Sequence, residues 1–186
     1  MILPIVAYGD VVLKKRAMDI DPTYPGLHDL ISNMYETMYN AEGVGLAAPQ
    51  IGLSIRLFIT DGKPFREDDP ELANFKQVFI NAQILDENGE VWKFNEGCLS
   101  IPGIREDVMR KPVVNIRYFD EQFTQHEKTF EGLSARIIQH EYDHIEGVLF
   151  TDKLSALKKK LIKGKLRDVS IGKVDVNYRM KFPATR

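Results

Sequence analysis

The sequence has little of several features that would assign it to a large protein class. It contains one cysteine in 186 residues, so no internal disulfide can form and a reducing compartment is expected. It has no uninterrupted apolar run of about 18 residues, which argues against a membrane span. Its net charge is −2, so the composition offers no general attraction to DNA or other nucleic acids.

The N-terminus also lacks two targeting patterns. It has neither a charged stretch leading into an apolar core, as in secretory signals, nor the arginine- and serine-rich character of transit peptides. A cytoplasmic protein is therefore expected, and the same features also fit the mature form of an organellar protein. With 44% apolar residues and no internal repeat or low-complexity linker, residues 1–186 fit a single domain.

The most informative segment is His140–His144, which reads HEYDH. Histidines four residues apart lie on one face of an α-helix, where both imidazoles reach a single metal ion. Glu141, next to the first histidine, is placed to move a proton of metal-bound water. The alternative interpretation is an exposed helix with scattered polar groups.

Two further segments narrow the interpretation. Gly43–Gln50 reads GVGLAAPQ, and Glu96–Ser100 reads EGCLS. Together with His140–His144 they resemble, in order and rough spacing, the three signature motifs of peptide deformylases. Leu3–Asp10 resembles the usual opening of that family. The resemblance covers residues 2–154, the expected catalytic core, and it is weaker over 155–181, where a basic helix and a terminal strand are expected.

The resemblance implies a metal site with Cys98, His140 and His144 as ligands and a fourth position open for water or substrate. Without its motif, Cys98 would be interpreted as a buried small hydrophobe. The resemblance further implies one divalent ion per chain, Fe²⁺ in vivo, with Zn²⁺, Ni²⁺ or Co²⁺ able to occupy the site. Nitrogen and sulfur ligands by themselves fit Zn²⁺ equally well.

The implied reaction removes the N-formyl group from the N-terminal methionine of newly made polypeptides and releases formate. In that scheme metal-bound water is the nucleophile, and Glu141 acts first as general base and then as general acid. The side-chain amide of Gln50 and the backbone N–H of Leu99 donate to the formyl oxygen as negative charge develops there.

Five residues are expected to contact the substrate. The resemblance implies that Gly45 bonds the substrate main chain, that Val44 lines the methionine pocket and that Arg105 lies near the substrate backbone. Leu133 and Ile137, on the metal-binding helix, are further pocket candidates. The structural alternatives are a surface arginine for Arg105 and core positions for the two apolar residues.

Two charged residues are expected to support the site. Glu96 is predicted to pair with Arg110 and hold the loop around Cys98. For Asp143 two interpretations stay open: it orients a ligand histidine, or it pairs with Arg136 or caps local backbone.

The periodicity of the remaining sequence predicts an α+β fold, with antiparallel or mixed sheets around the metal-binding helix. Helices are expected at 10–17, capped by Asp10, at 26–40, between Ser134 and Gly147, and at 153–167. Strands are expected at 55–60, 76–85, 90–95, 112–119, 126–131 and around Val174, Val176 and Tyr178, with a loop at 61–74.

Other functions also fit parts of the sequence. Zinc endopeptidases share the His-Glu-x-x-His pattern but usually take their third ligand from downstream, whereas Cys98 lies upstream. A non-catalytic peptide-binding homologue is disfavoured because Glu141, Gln50 and all three ligands are present. The lysines of 153–167 allow a transient ribosome contact or, alternatively, a solvated helix face.

Overall fold

The structure is a computed structural model, and it describes residues 1–183. Its helices and strands are β1 (Ile5–Val6), α1 (Leu27–Asn40), β2 (Gly45–Ala47), β3 (Leu57–Asp61), β4 (Lys76–Asn88), β5 (Trp92–Cys98), β6 (Ile101–Arg110), β7 (Val113–Phe119), β8 (Gln125–Glu131), α2 (Gly132–Ile145), α3 (Ala156–Ser170) and β9 (Met180–Lys181).

An antiparallel sheet of five strands forms the centre, in the order β2-β3-β4-β7-β8. β5 and β6 form a separate antiparallel hairpin, and β1 pairs in parallel with β9. α2 packs against β2, β3, β7 and β8, so it lies on the central sheet. The predicted α+β class, with antiparallel and mixed sheets around the metal-binding helix, is confirmed.

α1 presents an apolar face to the core, as its periodicity predicts. Ile31 and Met34 recur at helical spacing and are buried. The segment before α1 differs from the prediction. Asp10 does accept a capping hydrogen bond, but it caps a single 3₁₀ turn over Val11–Lys14 instead of a helix that continues to residue 17.

α2 carries the two histidines of the motif into the protein interior. Ile138 and Ile145 are fully buried on its core side. The helix begins earlier than predicted, with Glu131 at the N-cap position. Ser134 is not the cap, because its hydroxyl donates back to the carbonyl of Glu131 at 2.8 Å. Gly147 follows the helix end with a φ of +74°, in agreement with the prediction.

β6 is the longest strand that the predictions lack, and the short strands β1 and β2 were not predicted either. Pro102 and Gly103 interrupt its apolar alternation, and charged residues fill 105–107. The strand forms because it pairs with β5 over nearly its full length, which is a tertiary cause. The predicted loop at 61–74 begins one residue too early, because Asp61 still belongs to β3, and the rest of it contains two short 3₁₀ turns.

The C-terminal part departs from the prediction in two ways. α3 runs over 156–170 instead of 153–167, because Ser155 caps it by accepting the N–H of Lys158. The strand predicted around Val174, Val176 and Tyr178 is wrong: pairing occurs two residues later, at β9, where β1 offers a partner. Within residues 1–183, no helix combines the length and apolar character needed to cross a membrane.

Candidate metal centre and substrate cleft

Three side chains with metal-binding atoms converge beside α2. Cys98 at the end of β5 and His140 and His144 on α2 each offer one ligand atom, and these atoms lie within 4.8 Å of one another. The Sγ of Cys98 is 3.4 Å from Nε2 of His144. One thiolate and two imidazoles at this separation suit a tetrahedral ion with one open position, so the donor set fits a divalent metal.

The β5–β6 hairpin brings Cys98 to α2. Its register shifts between Gly97 and Cys98, so that Cys98 faces Ile101 across a tight turn. Gly97 leaves space for the Arg105 side chain at this bend, because a Cβ there would lie 2.7 Å from Nη1 of Arg105. The cysteine motif is therefore a bulged strand end, a common device for re-aiming a side chain at a site.

Glu96 is a buried carboxylate that organises the groups behind the metal position. It accepts two hydrogen bonds from Arg110, at 2.7 and 2.9 Å, one from Arg136 at 2.8 Å and one from Nδ1 of His140 at 3.0 Å. Burial by itself would raise the pKa of Glu96, but the hydrogen bonds from His140 and Arg110 hold it well below its usual range. Because Nδ1 is engaged, Nε2 of His140 is left for a metal.

Arg110 extends this network to α2. The predicted pair with Glu96 is present, and Nη1 of Arg110 also donates to Asp143 at 2.7 Å. Asp143 does not pair with Arg136, which bonds Glu96 and the carbonyl of Trp92 instead. Asp143 and Arg136 are two helical turns apart, roughly 10 Å along the axis, too far for a direct ion pair.

Glu141 points into the cleft beside the metal position. Its side chain is buried, and within residues 1–183 no group hydrogen-bonds its Oε2. Burial, more than any neighbouring charge, raises the pKa of Glu141 to about 7. Gly45 makes room for the carboxyl group, because a Cβ on Gly45 would lie 2.6 Å from its Cδ.

Gln50 and Leu99 flank the same position. Ala47 donates its N–H to Oε1 of Gln50 at 2.9 Å, which turns the amide so that Nε2 faces Sγ of Cys98 at 3.5 Å and Ser100 at 3.4 Å. Leu99 directly follows Cys98 in the turn of the hairpin. Both residues that were expected to donate to an oxyanion therefore lie next to the cysteine.

The converging groups open into a cleft of about 780 Å³. Of the expected substrate contacts, Val44, Gly45, Ile137 and Arg105 line it. Arg105 is fixed at the rim by two hydrogen bonds to Asn95, of 2.7 and 2.9 Å. Leu133 packs against the core cluster behind the cleft and is not part of its lining.

Sequence reasoning missed several residues of this cleft. Phe65 and Phe94 meet edge to face at its wall, with ring centroids 6.3 Å apart. Asp175–Tyr178 also lines it, and the hydroxyl of Tyr178 donates to the carbonyl of Leu99 at 2.8 Å. The alternating apolar residues of that segment are the available signal, but alternation is equally typical of a strand.

Known proteins are similar to this chain in sequence and in overall structure. The family model described as polypeptide deformylase matches residues 2–160. The peptide deformylase of Christiangramia forsetii is 60% identical over 190 residues, which cover 98% of this chain and 97% of that protein. The peptide deformylase of Flavobacterium johnsoniae is 59% identical over 193 residues, covering 100% and 98%.

A solved structure agrees with these relatives. The crystal structure of a peptide deformylase from Legionella pneumophila is similar with a TM-score of 0.80 and 38% identity, covering 93% of this chain and 98% of that one. The chain therefore belongs to the polypeptide deformylase family.

Proposed function

We propose that this chain hydrolyses the N-formyl group of N-formylmethionine at the start of newly made polypeptides and releases formate. The observation that carries the proposal is the Cys98, His140 and His144 cluster beside the buried carboxyl group of Glu141. A divalent ion on those three residues would polarise the formyl carbonyl and lower the pKa of a water molecule. Fe²⁺ is the proposed ion, with Zn²⁺, Ni²⁺ and Co²⁺ as substitutes.

Glu141 is the proposed proton carrier. Its Oε2, which has no hydrogen-bond partner within residues 1–183, is available to accept a proton from the attacking water. The same carboxyl group then returns that proton to the leaving nitrogen, so the amine departs neutral. Its fixed position against Gly45 limits the number of orientations that the carboxyl group can adopt.

Gln50 and Leu99 are the proposed donors to the formyl oxygen. The Nε2 of Gln50 is directed at the cysteine side of the cleft because Ala47 already occupies its Oε1. A fixed donor aimed at a developing oxyanion contributes roughly 10²- to 10³-fold in rate in other hydrolases. The N–H of Leu99 would approach the same oxygen from the turn of the hairpin.

The apolar part of the cleft is the proposed methionine pocket. Val44, Ile137 and Phe94 line it, and these surfaces suit a flexible, unbranched thioether chain. Gly45, which lines the cleft and has no side chain of its own, is the proposed partner of the substrate main chain. Arg105 at the rim is a further proposed contact for residues that follow methionine.

The test is formate release from an N-formyl-Met tripeptide by Fe²⁺-loaded protein under anaerobic conditions, with the N-acetyl peptide as control. Release from the formyl peptide alone is the expected result. Absence of formate from folded, fully metallated protein would refute the proposed function. Cleavage of an internal peptide bond, followed by mass spectrometry, would instead indicate a zinc endopeptidase.

Three further proposals concern the domain extent, the compartment and a partner of the enzyme. We propose one domain over residues 1–186, of which 184–186 lie outside the described residues, and the bacterial cytoplasm as its compartment, in keeping with its bacterial relatives.

A transient ribosome contact through 153–167 is also proposed, because most lysines of α3 are exposed, although Lys158 is bound to Glu106. Co-sedimentation with ribosomes that persists after the α3 lysines are changed to glutamate would refute that contact.

A further inference from the structure

The turn that follows Cys98 is held by two residues from distant parts of the chain. Leu99 and Ser100 form the bend of the β5–β6 hairpin, and neither has a partner residue in the β5–β6 ladder. The carbonyl of Ser100 accepts the backbone N–H of Tyr8 at 2.8 Å. The carbonyl of Leu99 accepts the hydroxyl of Tyr178 at 2.8 Å. The orientation of this turn therefore depends on both contacts.

The segment that carries Tyr178 is itself anchored. It leaves α3 through Gly172 and ends in β9, where the N–H of Ile5 donates to the carbonyl of Arg179 at 2.9 Å. The Tyr178 ring is half-buried and packs on the same apolar cluster as Leu99. The Tyr178 hydroxyl is therefore held beside Leu99 by the packing of its ring and by the pairing of β9, which follows it, with β1.

We propose that Tyr178 is a positioning residue for deformylation, whose hydroxyl holds Leu99 so that the Leu99 N–H is aimed at the formyl oxygen. The proposal rests on the function proposed above. The Leu99 side chain packs beside Gly43, in space that a Cβ on Gly43 would occupy, at 2.8 Å from its Cδ1. The N–H of Leu99 belongs to the preceding peptide group, so the hydrogen bond at the Leu99 carbonyl acts on it by restricting rotation about the backbone of Leu99.

The experiment compares Tyr178→Phe with Tyr35→Phe. Each change removes one hydroxyl and keeps the ring, and the Tyr35 hydroxyl donates to the carbonyl of Gln77 at 3.0 Å, away from the cleft. For Tyr178→Phe we expect kcat for the N-formyl-Met tripeptide to fall roughly 3- to 10-fold, the range of one typical hydrogen bond, with KM nearly unchanged. Tyr35→Phe should retain the kcat of the unchanged enzyme at equal metal content.

A second readout does not depend on activity. Amide ¹⁵N relaxation of the Zn²⁺-loaded protein should show the order parameter of Leu99 falling in Tyr178→Phe from about 0.85, the value of rigid backbone, towards 0.6. It should stay unchanged in Tyr35→Phe. An unchanged order parameter, or a lower one with full kcat, would overturn the proposal. If the unchanged enzyme releases no formate, the proposed function fails, and the relaxation data still decide whether Tyr178 holds Leu99.

Discussion

Replacing Glu96 by glutamine should destabilise the protein more than any surface charge change. Glu96 accepts four hydrogen bonds from Arg110, Arg136 and His140, and its side chain and that of Arg110 are each only 4% exposed. Glutamine keeps the shape but places an NH₂ group against donors and leaves two arginines with less opposing charge. Breaking a buried ion pair in this way costs about 3–5 kcal/mol.

The expected size can be translated into a melting temperature. For a chain of this length each kcal/mol corresponds to roughly 2–4 °C, so Glu96→Gln should lower Tm by roughly 6–20 °C. The loss of the hydrogen bond to His140 Nδ1 should also weaken metal binding about 10- to 100-fold, measured by competition with a chelator.

Glu127→Gln is the matched control for Glu96→Gln. Glu127 pairs with Arg117 at 3.0 Å, but both side chains are nearly half exposed, so this pair is worth about 0–1 kcal/mol. Thermal unfolding of the Zn²⁺-loaded variants, followed by circular dichroism, decides between them. Equal Tm values for the two variants would refute the argument that the buried network stabilises the fold.

Three other changes give separate expectations. Glu141→Gln should keep the metal, measured by elemental analysis, and lose about 10²- to 10⁴-fold in kcat because the proton carrier is gone; near-full activity would contradict that role. Gly45→Ala should force the Glu141 carboxyl group aside, lowering kcat about 10- to 100-fold and stability in urea by about 1–3 kcal/mol, and an unchanged kcat would count against the geometry. Gly164→Ala, in an exposed part of α3 with nothing near the added methyl group, should instead stabilise the protein by about 1 kcal/mol in the same urea assay, and an unchanged or lower stability would contradict this.

Local sequence patterns predicted how side chains on a single helix are placed relative to one another. The spacing of His140 and His144 places both on one face of a helix whatever the rest of the chain does. Only the alternative that paired Asp143 with Arg136 is wrong, because each found a partner on the β5–β6 hairpin that sequence spacing does not reveal. Their partners depend on how α2 packs, which is a tertiary property.

Local sequence patterns did not predict the contacts made by residues near the C-terminal end of the chain. Tyr178 bonds Leu99 across 79 residues of sequence, and Val176 lines the cleft in a segment whose alternation resembles a strand. A half-buried strand and an extended wall of a cleft bury every second side chain in the same way. The strand and the cleft wall differ only in whether another strand pairs with the segment. The sequence of the segment itself does not show whether such a strand is present.

This arrangement ties the catalytic turn to the pairing of the two chain ends. Ile5 and Val6 pair with Met180 and Lys181, so β1, near the start of the chain, is bonded to β9, the last strand of the described residues. Tyr8 and Tyr178 lie two or three residues from that pairing and hold the two carbonyls of the Leu99–Ser100 turn. A change that separates β1 from β9 should therefore disturb the turn from both sides at once, while His140 on α2 keeps its own hydrogen bond to Glu96.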